Sequence, residues 1–93
     1  MKEYPNESDL EQIRKWDAIR DPFKLVEFIQ DICWCDAVRI KGKKVWHVEF
    51  HTWGWSGNED IIQALRENQM FFAIYWLKTH RGGHYYFKVR KLK

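Results

Sequence analysis

The chain has 93 residues, which suits one domain spanning 1–93, and its formal net charge of +3 is far below that of a tail that coats nucleic acid. Aromatic residues make up 17% of the chain, which supplies the large side chains that the core of a small domain needs. Two cysteines are too few for the disulfide framework of a secreted mini-domain, and the longest apolar run, 70–77, is too short to cross a bilayer. Because the first ten residues are polar and lack the apolar region of a signal peptide, we expect a cytoplasmic protein with no membrane partner.

Two helices are predicted in the first third of the chain. Residues 1–7 are polar and are expected to be flexible. Ser8, with a glutamate three residues later, matches a capping box, and apolar residues at helical spacing then predict a helix to about Arg20. Pro22, preceded by an aspartate that can cap, predicts a second helix that ends near Trp34.

A change of period from Val38 onward predicts a β-hairpin. Apolar and polar residues alternate over 38–41 and again over 46–51, with Gly42 in the turn between them. This pattern is typical of antiparallel strands with one face in the core and the other in water.

A loop and a third helix are predicted next. Residues 52–57 place two tryptophans between glycines without any period, which indicates a loop. Ser56 or Asn58 is then expected to cap a helix that ends near Asn68.

Two further strands complete the predicted fold. The run 70–77 is apolar on both faces and predicts a central strand, and alternation over 85–90 predicts a last strand after a turn at 81–83. The order is then α-α-β-β-α-β-β, an α+β fold with an antiparallel sheet of about four strands, two N-terminal helices and one helix between the hairpins.

The outward sheet face is one candidate binding surface. Cations and aromatic rings on a sheet can hold single-stranded nucleic acid, because rings stack on bases while cations follow the phosphates. The nucleic-acid-binding candidates are Arg39, Lys41, Tyr86, Lys88 and Arg90, with Tyr75 expected in the middle of the same face. A charged outer face is also the default of any half-exposed antiparallel sheet, so this interpretation stays an alternative.

Metal binding and catalysis are not expected. Cys33 and Cys35 have one residue between them, where paired zinc ligands usually have two or more. His47 and His51 lie roughly 13 Å apart on an extended strand, too far to share an ion. No spacing among the histidines, carboxylates and Ser56 matches a known catalytic arrangement, so we expect no catalytic residues, no metal and no cofactor.

The loop that holds Trp53 and Trp55 is the other candidate. Tryptophan is the residue most enriched at binding hot spots. The alternative is a self-packed loop, in which one ring closes an open end of the core while Gly54 and Gly57 allow tight backbone turns.

Two segments carry a resemblance to known proteins. HTWGWSGNEDII at 51–62 and RGGHYYF at 81–87 resemble small uncharacterised proteins encoded by bacteriophages and prophages, over the C-terminal half only. The resemblance implies action in the cytoplasm of an infected bacterium, by binding a host protein. We therefore expect a non-enzymatic binding protein whose partner-binding residues are Trp53, Trp55, Arg81 and His84, with nucleic-acid binding as the alternative; the sequence leaves the oligomeric state open.

Overall fold

The computed structural model describes residues 4–34 and 36–92 and confirms the predicted α+β class. In chain order the elements are α1 (Glu7–Lys15), α2 (Pro22–Ile32), β1 (Val38–Lys41), β2 (Val45–His51), α3 (Ser56–Glu67), α4 (Gln69–Tyr75), β3 (Trp76–His80) and β4 (His84–Arg90). The four strands form one antiparallel sheet in the order β1-β2-β4-β3. Two helices therefore separate the hairpins, where the sequence predicted one. No helix within 4–34 and 36–92 has the length and apolar character to span a membrane.

The first helix begins and ends earlier than predicted. Its capping box is formed by Asn6 and Asp9, whose side chains each accept from the other's backbone N–H, and not by Ser8. The helix stops at Lys15 because Trp16 adopts an extended backbone. The predicted flexible segment 1–7 lies partly outside the described residues.

The second helix follows its predicted start signal. The Asp21 side chain accepts from the backbone N–H of Lys24, and Pro22 occupies the first turn, where its missing N–H costs nothing. Its buried face includes Leu25 and Ile29. The helix ends at Ile32, two residues before the predicted end.

The predicted central strand at 70–77 is wrong. Residues up to Tyr75 form α4, and the strand that follows is an exposed edge strand. The buried Asn68 side chain explains the helix, because its oxygen caps the N–H of Phe71 while its amide donates to the carbonyls of Ile13 and Trp16. Phe71 and Tyr75 then bury one helical face.

The start of α3 also differs from the prediction. Its N-cap residue is Trp55, and no side chain caps the helix. The Ser56 hydroxyl instead donates to the Tyr4 hydroxyl, and Asn58 is fully buried.

All four helices lie on one face of the sheet. The apolar strand residues Val48, Phe50, Phe87 and Val89 join helix residues in one core. Tyr75 belongs to this core, where its hydroxyl donates to the carbonyl of Ala18, so its predicted place on the outward face is wrong. The opposite sheet face carries none of the described helices.

Candidate nucleic-acid interface

The uncovered side of the sheet, here called the open face, consists of the strand residues whose side chains point away from the core. They are Arg39 and Lys41 on β1; Val45, His47, Glu49 and His51 on β2; His84, Tyr86, Lys88 and Arg90 on β4; and Lys78 and His80 on β3. All five predicted nucleic-acid-binding residues therefore lie on one continuous surface.

Strand register arranges this surface in rows across the sheet. One row runs Lys41, His47, Lys88 over three strands, and a second runs Arg39, Glu49, Tyr86, Lys78 over all four. The third row joins His51, His84 and His80. Successive rows are separated by roughly 7 Å, the length of two strand residues.

The open face concentrates the positive charge of the protein. Its two arginines and three lysines stand against one carboxylate, that of Glu49, which makes the face +4. Because the whole chain carries +3, everything outside this face sums to −1. None of the five cations forms an ion pair with another described residue. Their charges are therefore available to an anionic partner.

An aromatic ring lies in the middle of these cations. The Lys78 ammonium lies 5.1 Å from the centroid of the Tyr86 ring, and the His80 ring meets the same ring edge to face at 5.4 Å. A groove of about 320 Å³ runs over this tyrosine, between His47 and Glu49 on one side and β3 on the other. The groove therefore places an aromatic ring, on which a base can stack, beside cations that can contact phosphates.

At one end of the open face, Glu49, His51, Trp53 and His84 form a connected cluster, here called the histidine corner. His51 is 7% exposed; its Nε2 lies 3.0 Å from the Glu49 carboxylate, and its Nδ1 lies 2.6 Å from Nδ1 of His84. The Trp53 ring lies 5.0 Å from the His51 ring and 6.0 Å from the His84 ring. The pairing of β2 with β4 thus joins the two histidines, 33 residues apart in the chain.

Backbone contacts hold the two segments of the corner together. The Thr52 N–H donates to the carbonyl of Gly83 at 3.0 Å, and Gly83 has φ +83°, so a side chain at this position would collide with the Thr52 hydroxyl. Behind this contact, the Asn58 amide donates to the carbonyls of Thr52 and Trp34. The segments around His51 and His84 are therefore joined through buried hydrogen bonds.

The four predicted partner-binding residues lie in three different places. Trp53 is 49% exposed with a left-handed backbone, φ +55°, and stands beside His84 in the histidine corner. Trp55 is half-buried between the rings of Tyr4 and Trp34, as in the self-packed alternative. Arg81 is exposed in the turn before β4.

Sequence reasoning missed two residues of the surface and one contact within it. The strand predicted at 70–77 ended before Lys78 and His80, whereas the structure has a helix to Tyr75 and a strand over Trp76–His80. The contact between His51 and His84 was not predicted, although both residues lie in the two segments, 51–62 and 81–87, that the sequence analysis singled out. Only strand order could have joined them, and periodicity does not encode strand order.

The described residues do not form a metal site. Within 4–34 and 36–92, no group of three or more His, Cys, Asp or Glu side chains could hold a metal ion. Cys33 is buried in the core, and Cys35 lies outside the described residues.

Comparison of the chain with protein-family models, curated proteins and solved structures found no match.

Proposed function

We propose that this protein binds single-stranded nucleic acid on the open face. The observation that carries the proposal is the charge separation, +4 on this one face against −1 for the rest of the chain. Phosphates attract such a surface at a distance and release counterions when they bind it.

Aromatic rings on the same face supply the second part of the recognition. Tyr86 lies among the cations, and the exposed Trp53 ring stands at the end of the sheet. Stacking of a base on such a ring is worth about 1 to 3 kcal/mol and tolerates any sequence. A single strand can present its bases to these rings, whereas the bases of a duplex stay stacked on one another.

Three further lysines lie near the turn of the first hairpin, around a recess on the helix side of the sheet. Lys43, Lys44 and Lys91 surround a recess of about 350 Å³, which Phe23 and Trp46 also line. The two rings meet edge to face at 4.8 Å. Because Trp46 pairs with the buried Val89 on the core side of the sheet, this recess is separate from the open face, and the proposal depends on the five open-face cations alone.

The salt dependence of the affinity tests the proposal. If five cations contact phosphates, a plot of log Kd against log salt concentration should have a slope of about 3.5. The affinity for a labelled 12-nucleotide DNA should then fall about 100-fold between 50 and 200 mM salt. Lys88→Gln should lower that slope by about 0.7, and Tyr86→Leu should weaken binding at every salt concentration.

Lys24→Gln is the matched control, since Lys24 lies on α2, on the other side of the sheet. Fluorescence anisotropy gives all the affinities. A salt-independent affinity, or equal losses for Lys24→Gln and Lys88→Gln, would refute the proposal.

A second candidate function is binding of a host protein through Trp53. A large ring that is 49% exposed on a left-handed backbone is costly to keep unless it serves contact with a partner. In a pull-down from bacterial lysate, the immobilised protein should then retain one bacterial protein. The Trp53→Ala variant should not retain it, and the Trp76→Ala variant should. Trp76 is the matched control because its ring is 43% exposed but stacks on Phe72 in the helix layer. Equal retention by both variants would exclude this function.

A further inference from the structure

We propose that the histidine corner, together with His80 on the neighbouring strand, cleaves RNA bound on the open face, with His84 as general base and His80 as general acid. The inference rests on the proposed function, because the strand has to lie on the open face to reach the corner. It goes beyond the binding role predicted from the sequence, which was drawn without the contact between His51 and His84.

With His51 neutral, the hydrogen bonds of the corner assign the reactive nitrogen of His84. A carboxylate only accepts, so His51 donates its Nε2–H to Glu49. Neutral His51 then has a bare Nδ1, which accepts the Nδ1–H of His84 at 2.6 Å. His84 in this tautomer has its lone pair on Nε2, the nitrogen that can take a proton from a substrate.

The same chain stabilises His84 once it is protonated. The imidazolium keeps its Nδ1–H on His51, and His51 keeps its Nε2–H on the Glu49 carboxylate, so a negative charge stands behind the new positive one. This is the arrangement by which a carboxylate orients and supports a histidine base in hydrolases, here with a second histidine in between. His51 and Glu49 are therefore positioning residues.

The turn before β4 passes close to Nε2 of His84 at a residue that has no side chain. Gly82 passes beside the ring, and a Cβ at this position would lie 3.4 Å from Nε2 and 3.5 Å from Cδ2. The positive φ of Gly82, +95°, also disfavours any other residue there. No hydrogen bond from another described residue occupies this nitrogen.

The other groups that cleavage of a phosphodiester needs come from β3 and from Trp53. His80 is directly opposite His84 on the neighbouring strand, a position at which Cβ atoms are about 5 Å apart. Lys78, in the next row, provides a cation for the charge that develops on phosphorus. Trp53, 6.0 Å from the His84 ring, offers a surface on which the adjacent base can stack.

The reaction that fits these groups is transfer of the phosphoryl group to the neighbouring ribose hydroxyl. His84 Nε2 takes the proton of the 2′-hydroxyl while the 2′-oxygen forms a bond to phosphorus. The bond from phosphorus to the 5′-oxygen breaks, and that oxygen takes a proton from the His80 imidazolium. The products are a 2′,3′-cyclic phosphate and a 5′-hydroxyl, and exchange of one proton each with water restores both histidines.

The experiment compares an end-labelled 12-nucleotide oligouridylate with a DNA oligomer of the same length. The protein and Lys24→Gln should cut the RNA to cyclic-phosphate ends and bind the DNA without cutting it, because DNA lacks the 2′-hydroxyl. His84→Gln and His80→Gln should each lose at least about 100-fold in cutting rate while still binding the DNA. His80 is exposed, so its variant does not depend on tolerance of a change in the core.

A positioning role for His51 has its own readout. His51→Asn should lower kcat for the oligouridylate much more than it raises KM, because the nearly buried His51 ring contacts His84 and acts on the strand only through it. The other charged groups near His84 are Lys78, His80 and Arg81, which this substitution leaves in place.

The outcomes separate the two proposals. DNA bound with RNA left intact, or equal cutting by protein and His84→Gln, overturns the cleavage proposal and leaves binding in place. Failure to bind either oligomer overturns the proposed function and the cleavage proposal together.

Discussion

Removal of the buried Asn58 side chain should lower the free energy of unfolding by an amount that follows directly from its hydrogen bonds. Its side chain is 0% exposed and makes three hydrogen bonds: the amide oxygen accepts from the Trp34 N–H at 3.0 Å, and the amide nitrogen donates to the carbonyls of Trp34 and Thr52 at 3.1 and 3.2 Å. Asn58→Ala removes all three, so at about 1 kcal/mol each the free energy of unfolding should fall by about 3 kcal/mol. A domain of this size has about 5 to 14 kcal/mol in total, so the midpoint temperature should drop by about 12 to 24 °C.

Urea denaturation followed by far-ultraviolet circular dichroism measures this loss. Asn6→Ala is the matched control, because Asn6 is exposed and caps a helix, a role worth about 1 kcal/mol. If Asn58→Ala costs no more than Asn6→Ala, the buried amide does not join the end of α2 to the segment that carries Trp53, and the account of how that segment is held is wrong.

Two further changes test the corner and the helix layer. Gly83→Ala should destabilise the protein by more than Gly54→Ala. Both glycines have positive φ, but a Cβ at Gly83 would collide with Thr52, whereas a Cβ at Gly54 would meet open space. Equal losses in the urea midpoints of the two variants would contradict the close approach of Gly83 to Thr52. Arg14 donates to Glu67 at 2.7 Å and holds the pKa of that carboxyl below its ordinary 4.5, so the stabilisation is present above about pH 4.5 and is lost as the pH falls through the lowered pKa. Arg14→Gln should therefore flatten the decline in stability below pH 4.5, and an unchanged acid limb would show that the contact contributes nothing.

The parts of the fold that the sequence predicted are those governed by local periodicity. Alternation over β1, β2 and β4 fixed which residues face the core, because a strand places successive side chains on opposite faces. The same alternation placed Arg39, Lys41 and the three β4 residues on one surface. The start of α2 was predictable because a capping aspartate followed by a proline is a typical signal of a helix N-terminus.

The errors arose where a side chain acts across the fold. Residues 70–75 look like a strand by composition, but Asn68 caps them as a helix while it bonds to α1 and to Trp16, 52 residues away. The open ring of Trp53 and the packed ring of Trp55 are two residues apart, and nothing in their neighbourhood distinguishes them. The contact between His51 and His84 depends on strand order, which is set by how the whole chain packs.

The central claim is that the open face binds single-stranded nucleic acid, and an NMR titration of labelled protein with a 12-nucleotide DNA tests it most directly. At low salt, amide signals of 39–41 and 86–90 and the ring signals of Tyr86 should shift, those of α1 and α2 should stay, and the shifts should fade as salt is added. Shifts confined to Trp53 and its neighbours, or shifts that persist unchanged at high salt, would contradict the claim.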